Sequence, residues 1–305
     1  MTTPRRCSGL AALLLLVLVN SAAAEQRPKV IASFSILADM VAQLGGEHVL
    51  VTALVGPDSD AHMYQPTPND ARRLAAADLV IINGMDFEGW IPRLLESAGY
   101  TGPVVVASAG VEPMIVRGAP DPHAWQSTAY ASTYARNIIA ALIDLRPAYR
   151  DFFLQREAVF VAELERLTAW ARTRLEEGTG PHSVVTSHDA FAYLGRDFGI
   201  QFLAPTGAST EDEASAAGVA QLIRQIKKER IRAMFVESIS DPRLLQQIAR
   251  ETGVVVGTTL YSDALSEPEG PASTYLLMMQ HNLSVIIGAF AANDTLPLEI
   301  ERPQY

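Results

Sequence analysis

Cysteine is all but missing from this 305-residue chain, with Cys7 the only one. A single thiol cannot close a disulfide within the chain or build a thiolate metal cage. Long apolar runs are equally scarce. The one at the start, Gly9–Val19 (GLAALLLLVLV), falls short of the ~20 residues that cross a bilayer as a helix. Positive charge is in short supply too, 24 Lys and Arg standing against 34 Asp and Glu. A chain this acidic makes a poor partner for nucleic acid or an anionic membrane surface. Repeats and low-complexity tracts are also missing.

The N-terminus reads as an export signal. Arg5 and Arg6 form a basic region, Gly9–Val19 the apolar core and Ala22-Ala23-Ala24 a small-residue cleavage site. Residues 1–24 are therefore expected to be a cleaved secretory signal peptide. Cys7 lies upstream of the apolar core, whereas a lipid-anchored cysteine would follow it, so untethered export to a bacterial periplasm is expected. Losing Arg5 and Arg6 but no acid takes the formal charge from −10 to −12.

What remains alternates strand and helix signals. Val30–Phe34, Val49–Val55, Leu79–Asn83 and Val104–Ser108 are short apolar runs, separated by helix-like stretches such as Ile36–Leu44 and Asn69–Ala77, with Asn69 placed to cap the latter. Ser183–Thr186, Gln201–Leu203, Ala233–Val236 and Val254–Leu260 repeat the scheme around Ala190–Asp197, Ala216–Glu229 and Arg243–Thr252. Such alternation predicts βαβ units and parallel sheets. Between the halves, from Pro147 to about Glu177, there is no glycine or further proline, and Phe153, Phe160, Leu164 and Leu167 recur at helical spacing. Pro147 suits a first turn and Gly178 a stop. The expected α/β fold has two βα lobes with small parallel sheets, residues 25–146 and 179–305, joined by one long rigid linker helix, residues 147–178.

Four metal-competent side chains fall where expected strands give way to loops. His188 ends the strand of Val184–Leu194 (VVTSHDAFAYL), His62 lies in the polar loop Gly56–Pro66, His123 in Asp121–Trp125 (DPHAW), and Asp263 just beyond Val254–Leu260. Open α/β sheets bind ligands at the carboxyl edge of their strands. Two candidates come from each half, so they can converge between the lobes. Three imidazoles and one carboxylate make a tetrahedral shell that suits zinc. His48 looks like a surface residue entering a strand, and His281 falls in a helix-like run. His182 should sit roughly 20 Å along the strand from His188 at ~3.3 Å per residue. Glu237, at the end of another strand, could orient a ligand imidazole or cap a helix. The acidic run Glu211-Asp212-Glu213 reads as the solvated start of a helix.

The ordered set HMYQPTPNDARRLAAADLVIINGMDFEGW, DPHAW, SHDAFAYLGRDFGI, VESISDP and LYSDAL resembles the metal-specific solute-binding proteins of bacterial ABC importers, the cluster A-I group, and within it the zinc-binding ZnuA and AztC types. The resemblance implies two lobes with a metal between them, held by His62, His123, His188 and Asp263. Manganese-binding relatives typically have glutamate at the third position, so His188 favours zinc (Zn2+) as the transported ligand. It also implies delivery to an ABC transporter permease by a protein that is no enzyme and acts as a monomer. Zinc members often carry a long histidine-rich insertion before the second ligand, whereas Ala109–Asp121 is short and histidine-free. That departure raises the hypothesis of loading by a periplasmic zinc metallochaperone. Two rivals remain: a manganese- or iron-binding protein of the same kind, and a secreted zinc hydrolase. The latter would need an open water position and has no His-Glu-x-x-His pair to supply it. With ordinary imidazole pKa values near ~6.5, metal affinity is expected to fall steeply below about pH 6.

Overall fold

The computed structural model describes residues 26–177 and 182–290. The expected signal peptide and the helix stop at Gly178 lie outside the described residues.

The N-terminal lobe winds through β1 (Lys29–Phe34), α1 (Ser35–Gly45), β2 (Leu50–Val55), α2 (Pro68–Ala75), β3 (Leu79–Ile82), α3 (Ile91–Ser97) and β4 (Val104–Val106). Its strands are all parallel, in the order β2-β1-β3-β4. β1 runs through the middle, Val30 pairing with Val51 on one side and Leu79 on the other, and Val30–Phe34 are buried. A strand covered on both faces has no polar side to show, which explains why Val30–Phe34 is apolar but for the buried Ser33. The cap on α2 differs from expectation. Thr67 and Asp70 form a reciprocal capping box with Pro68 in the first turn, so Asn69 lies inside the helix. Proline's fixed φ and the Thr-x-x-Asp spacing set the cap two residues earlier.

The C-terminal lobe repeats the plan with β7 (Ser183–Val185), α6 (Ala192–Phe198), β8 (Gln201–Leu203), α7 (Ala216–Glu229), β9 (Ala233–Met234), α8 (Arg243–Thr252) and β10 (Val255–Val256). The parallel order is β10-β9-β7-β8, the same winding as in the first lobe. β9 and β10 are shorter than their apolar runs, and the two segments meet again at a bridge between Glu237 and Leu260. The acidic run is not the start of α7. It sits in the turn before the helix, whose N-cap is Ser215, accepting from the Gly218 amide at 3.0 Å.

Between the lobes come a small antiparallel hairpin, β5 (Ile115–Val116) with β6 (Ala119–Pro120), and two long helices, α4 (Thr128–Leu145) and α5 (Arg150–Glu176). The 27 residues of α5 make a rod of about 40 Å, burying Phe153, Phe160, Leu164, Leu167, Ala171 and Leu175 against α1, α4 and α9 (Tyr275–Gly288), the last helix among the described residues. One core cluster runs from β1 through α4 and α5 to α9, so this helix links the two lobes. Helices α3 and α4 and the hairpin have no counterpart among the expected elements. His48 sits half-buried just before β2, as expected of a residue entering a strand, and its ring stacks on Tyr149 with centroids 3.8 Å apart, just ahead of α5. Cross-lobe bonds, including Leu265 N–H to Ser35 Oγ at 3.0 Å and Tyr193 O–H to the Asp121 carbonyl at 2.8 Å, close one lobe on the other. Among the described residues no helix is long and apolar enough to cross a membrane.

Candidate metal centre

His62, His123, His188 and Asp263 form the group of described side chains able to hold a metal, with one donor atom of each within 4.8 Å of the others. His62 leaves β2 by a loop whose turn is tied by Asp60, Oδ1 accepting from the His62 amide at 2.8 Å. Oδ2 of Asp60 accepts from Thr210 Oγ in the other lobe at 2.7 Å. His123 arrives not straight from β4 but after the hairpin, entering a short helical turn at Ala124–Gln126. His188 follows β7 within three residues. Asp263 follows the Leu260 bridge, its neighbour Ser262 pinned by Trp125 Nε1–H and Gln126 Nε2–H at 2.9 and 2.7 Å.

The spacing is that of a coordination shell. Nε2 of His62 lies 3.3 Å from Nε2 of His123 and 3.4 Å from Asp263 Oδ2. Nε2 of His123 lies 3.5 Å from Asp263 Oδ1, and Nε2 of His188 lies 3.1 Å from Oδ2. Metal–ligand bonds of ~2.0–2.1 Å in a tetrahedron imply edges of about 3.3 Å. Both Asp263 oxygens are buried without a well-directed hydrogen bond. That is costly for a carboxylate unless a cation is its partner.

Two further carboxylates stand behind the imidazoles. Asp121 Oδ1 meets His123 Nδ1 at 2.7 Å and its backbone amide at 3.0 Å. Glu237 Oε2 lies 2.6 Å from His188 Nδ1, while Oε1 accepts from the Ser187 and His188 amides at 2.8 and 2.9 Å. A proton held on Nδ1 by a carboxylate leaves the Nε2 lone pair facing inward, the arrangement that orients and strengthens a ligand imidazole. Glu237 therefore stands beside His188 Nδ1, where the first of its two anticipated roles would put it, and its Oε1 is taken up by the Ser187 and His188 amides. Sequence reasoning passed over Asp121, although its place two residues before His123 in Asp-Pro-His was a usable signal.

The same carboxylates govern protonation. Burial opposes charge on His123, but Asp263 and Asp121 outweigh it and lift its pKa to about 9. Burial likewise opposes charge on His188, and Glu237 and Asp263 push its pKa well above the usual imidazole value. For Asp263 burial pulls upward, yet His188 and His123 hold it well below the carboxylate range. A divalent cation entering here would replace protons.

His62 is the most accessible of the four, 9% exposed against 1% or less for the others. It borders an open groove of about 900 Å³ lined by Tyr64, Phe87, Trp90, Arg93 and Glu211 among others. The other histidines lie outside the group. His281 Nε2 pairs with the Thr259 carbonyl at 2.9 Å, and His182 packs on Phe290 with ring centroids 4.6 Å apart.

Comparison with known proteins agrees with this architecture. A family model described as ZnuA, zinc-uptake complex component A periplasmic, matches residues 30–289. The iron-binding protein YfeA of Yersinia pestis is 31% identical over 268 residues, covering 86% of each chain. The manganese-binding lipoprotein MntA of Bacillus subtilis is 31% identical over 277 residues, covering 87% of this chain and 90% of that one. Among solved structures, the periplasmic zinc binding protein TroA from Treponema pallidum superposes with a TM-score of 0.82 at 28% identity, covering 87% of this chain and all of that one. The Mn-bound periplasmic metal binding protein from Candidatus Liberibacter asiaticus gives 0.80 at 30%, with the same coverage. These are binding proteins and not enzymes, which removes the hydrolase reading. This chain belongs to the ZnuA family, the cluster A-I metal-binding solute-binding proteins of ABC importers.

Proposed function

We propose that this protein captures Zn2+ outside the cytoplasm and hands it to the permease of its ABC importer. His62, His123, His188 and Asp263 are the ligands in this reading. The observation that carries it is the donor set: three imidazole Nε2 atoms and one carboxylate, with separations of 3.1–3.5 Å around Asp263 and between His62 and His123. Imidazole nitrogen matches zinc better than manganese, which prefers oxygen donors and octahedral shells. We take residues 25–146 and 179–305 as the lobes and 147–178 as the linker. Residues 1–24 are a cleaved signal peptide in this account, and the protein works in the periplasm as a monomer.

A second reading rests on the relatives. YfeA is named for iron and MntA for manganese, so manganese or iron remains a competing cargo for the same site. Competition decides between them. Zinc should displace manganese at equimolar total metal and resist a hundredfold excess of it. Retention of manganese or iron(II) against equimolar zinc would overturn the zinc assignment.

The segment Ala109–Asp121, where a histidine-rich loop is absent, folds instead as the β5–β6 hairpin, with Arg117 Nη2–H donating to the Thr206 carbonyl at 3.1 Å. Without such a scavenging loop, loading by a periplasmic metallochaperone fits this protein. Loading no faster from a zinc-charged chaperone than from a chelator would remove that idea.

A further inference from the structure

The segment 83–90 (NGMDFEGW) between β3 and α3 contributes no ligand, yet it touches both ligands of the N-terminal lobe. Asn83 Nδ2–H donates at 3.0 Å to the carbonyl of Pro122, the residue before His123. Trp90 Nε1–H donates at 2.8 Å to the carbonyl of Ala61, the residue before His62. Between them the Phe87 ring meets the His62 ring edge-on at 4.6 Å and the His123 ring at 6.0 Å. One short stretch therefore grips the backbone just ahead of each imidazole and packs its apolar face against both rings.

The segment is itself held under constraint. Gly84, Met85 and Asp86 have consecutive φ values of +87°, +55° and +59°, a left-handed run that L side chains disfavour. Buried Glu88 compensates. Its Oε1 accepts from the Asn83 amide at 2.6 Å and Ser33 Oγ at 2.5 Å, and its Oε2 from the Gly84 amide at 3.2 Å. The Asn83 side chain is saturated, with Oδ1 accepting from Tyr134 O–H at 2.6 Å and the second amide hydrogen reaching the Gly84 carbonyl at 3.0 Å. A fully paired buried network of this kind is stiff.

We propose that segment 83–90 is a spacer that sets the distance between His62 and His123, with Asn83 and Trp90 as positioning residues and Glu88 as their anchor. The proposal rests on the reading that both imidazoles share one zinc ion. A fixed 3.3 Å between the two Nε2 atoms matches the tetrahedral edge of a four-ligand zinc shell, which depends on every imidazole, whereas manganese draws more on oxygen ligands and leans less on this nitrogen pair. Loosening the spacer therefore costs zinc more than manganese.

The test uses the purified protein beside Trp90→Phe and Glu88→Gln. Zinc and manganese affinities, the cobalt(II) absorption spectrum and the thermal midpoint of the metal-free protein are compared. Trp90→Phe keeps a ring but loses the bond to Ala61. It should weaken zinc binding roughly tenfold, leave manganese binding nearly unchanged and reduce the intensity of the tetrahedral cobalt bands, at an unaltered midpoint. Glu88→Gln turns an NH2 group against the Gly84 amide and should lower the zinc-to-manganese ratio further; if it does not fold, Trp90→Phe decides. The inference is overturned if Trp90→Phe retains the wild-type ratio and cobalt spectrum. It is also overturned if both metals weaken equally along with the midpoint, the mark of a purely structural role. A wild-type protein with no preference for zinc would instead sink the zinc reading, and the cobalt spectra would still decide the spacer.

Discussion

Metal capture by this protein should be a proton exchange, and its size follows from the carboxylates around the site. With a pKa of about 9, the metal-free His123 carries an added proton at neutral pH, and Glu237 and Asp263 favour the protonated form of His188 as well. Any such proton must leave before Nε2 can bind a cation. Two pH units below its pKa, His123 alone weakens binding by about a hundredfold at pH 7, or about 2.7 kcal/mol. Apparent affinity should thus fall tenfold to a hundredfold per unit between pH 8 and pH 6, one decade per proton displaced. This moves the competition above the value near pH 6 expected for ordinary imidazoles, because Asp121, Glu237 and Asp263 hold the protons in place. Calorimetric titration at pH 7 in buffers of different ionisation enthalpy counts the protons released, with at least one per zinc expected. Fewer than half a proton per metal, or an affinity constant from pH 6 to pH 8, would refute the reasoning.

Removing His188 as Ala should weaken zinc binding by well over ~100-fold, more than loss of an outer partner costs, as read by chelator competition. Glu237→Gln keeps an acceptor but removes the charge beside His188 Nδ1; zinc affinity should drop ~10–100-fold, with proton release at pH 7 smaller than for the wild type. The metal-free protein should grow less heat-stable as pH rises from about 6.5 to 9. A raised His123 pKa contributes stability that is complete below the unfolded value and lost through about 9, worth roughly 3 kcal/mol. Asp263, held low by His188 and His123, acts in the opposite sense, its contribution being lost on acidification below the ordinary carboxylate pKa. The gain in thermal midpoint on adding zinc should therefore increase from pH 6.5 to pH 9, as scanning calorimetry would register.

Much of the fold could be read from the chain because its strands are short, apolar and regularly alternated with amphipathic helices. Gln201–Leu203, Ala216–Glu229 and Arg243–Thr252 have the expected bounds. Helix α4 escaped because its buried face is built largely of alanine, tyrosine and isoleucine beside further alanines that blur the period. Hairpin β5–β6 has only two residues per strand and a turn at Arg117-Gly118, both with positive φ, too little pattern to stand out. His62, His188 and Asp263 were visible because each follows an apolar run at a loop, and His123 because it stands in the short motif Asp-Pro-His, but the carboxylates behind the imidazoles were harder to see. Asp121 acts through Nδ1 of a residue two positions on, and Glu237 reaches His188 across the sheet from a different strand. Pairing across strands depends on register, which the sequence of one strand does not state.

The most direct test is anomalous diffraction at the zinc edge from crystals loaded with one equivalent of the metal. The account predicts a single peak between the lobes, ~2.0–2.2 Å from Nε2 of His62, His123 and His188 and from an Asp263 oxygen. A peak elsewhere, or an ion there bound through water with any of these four side chains turned away, would contradict it.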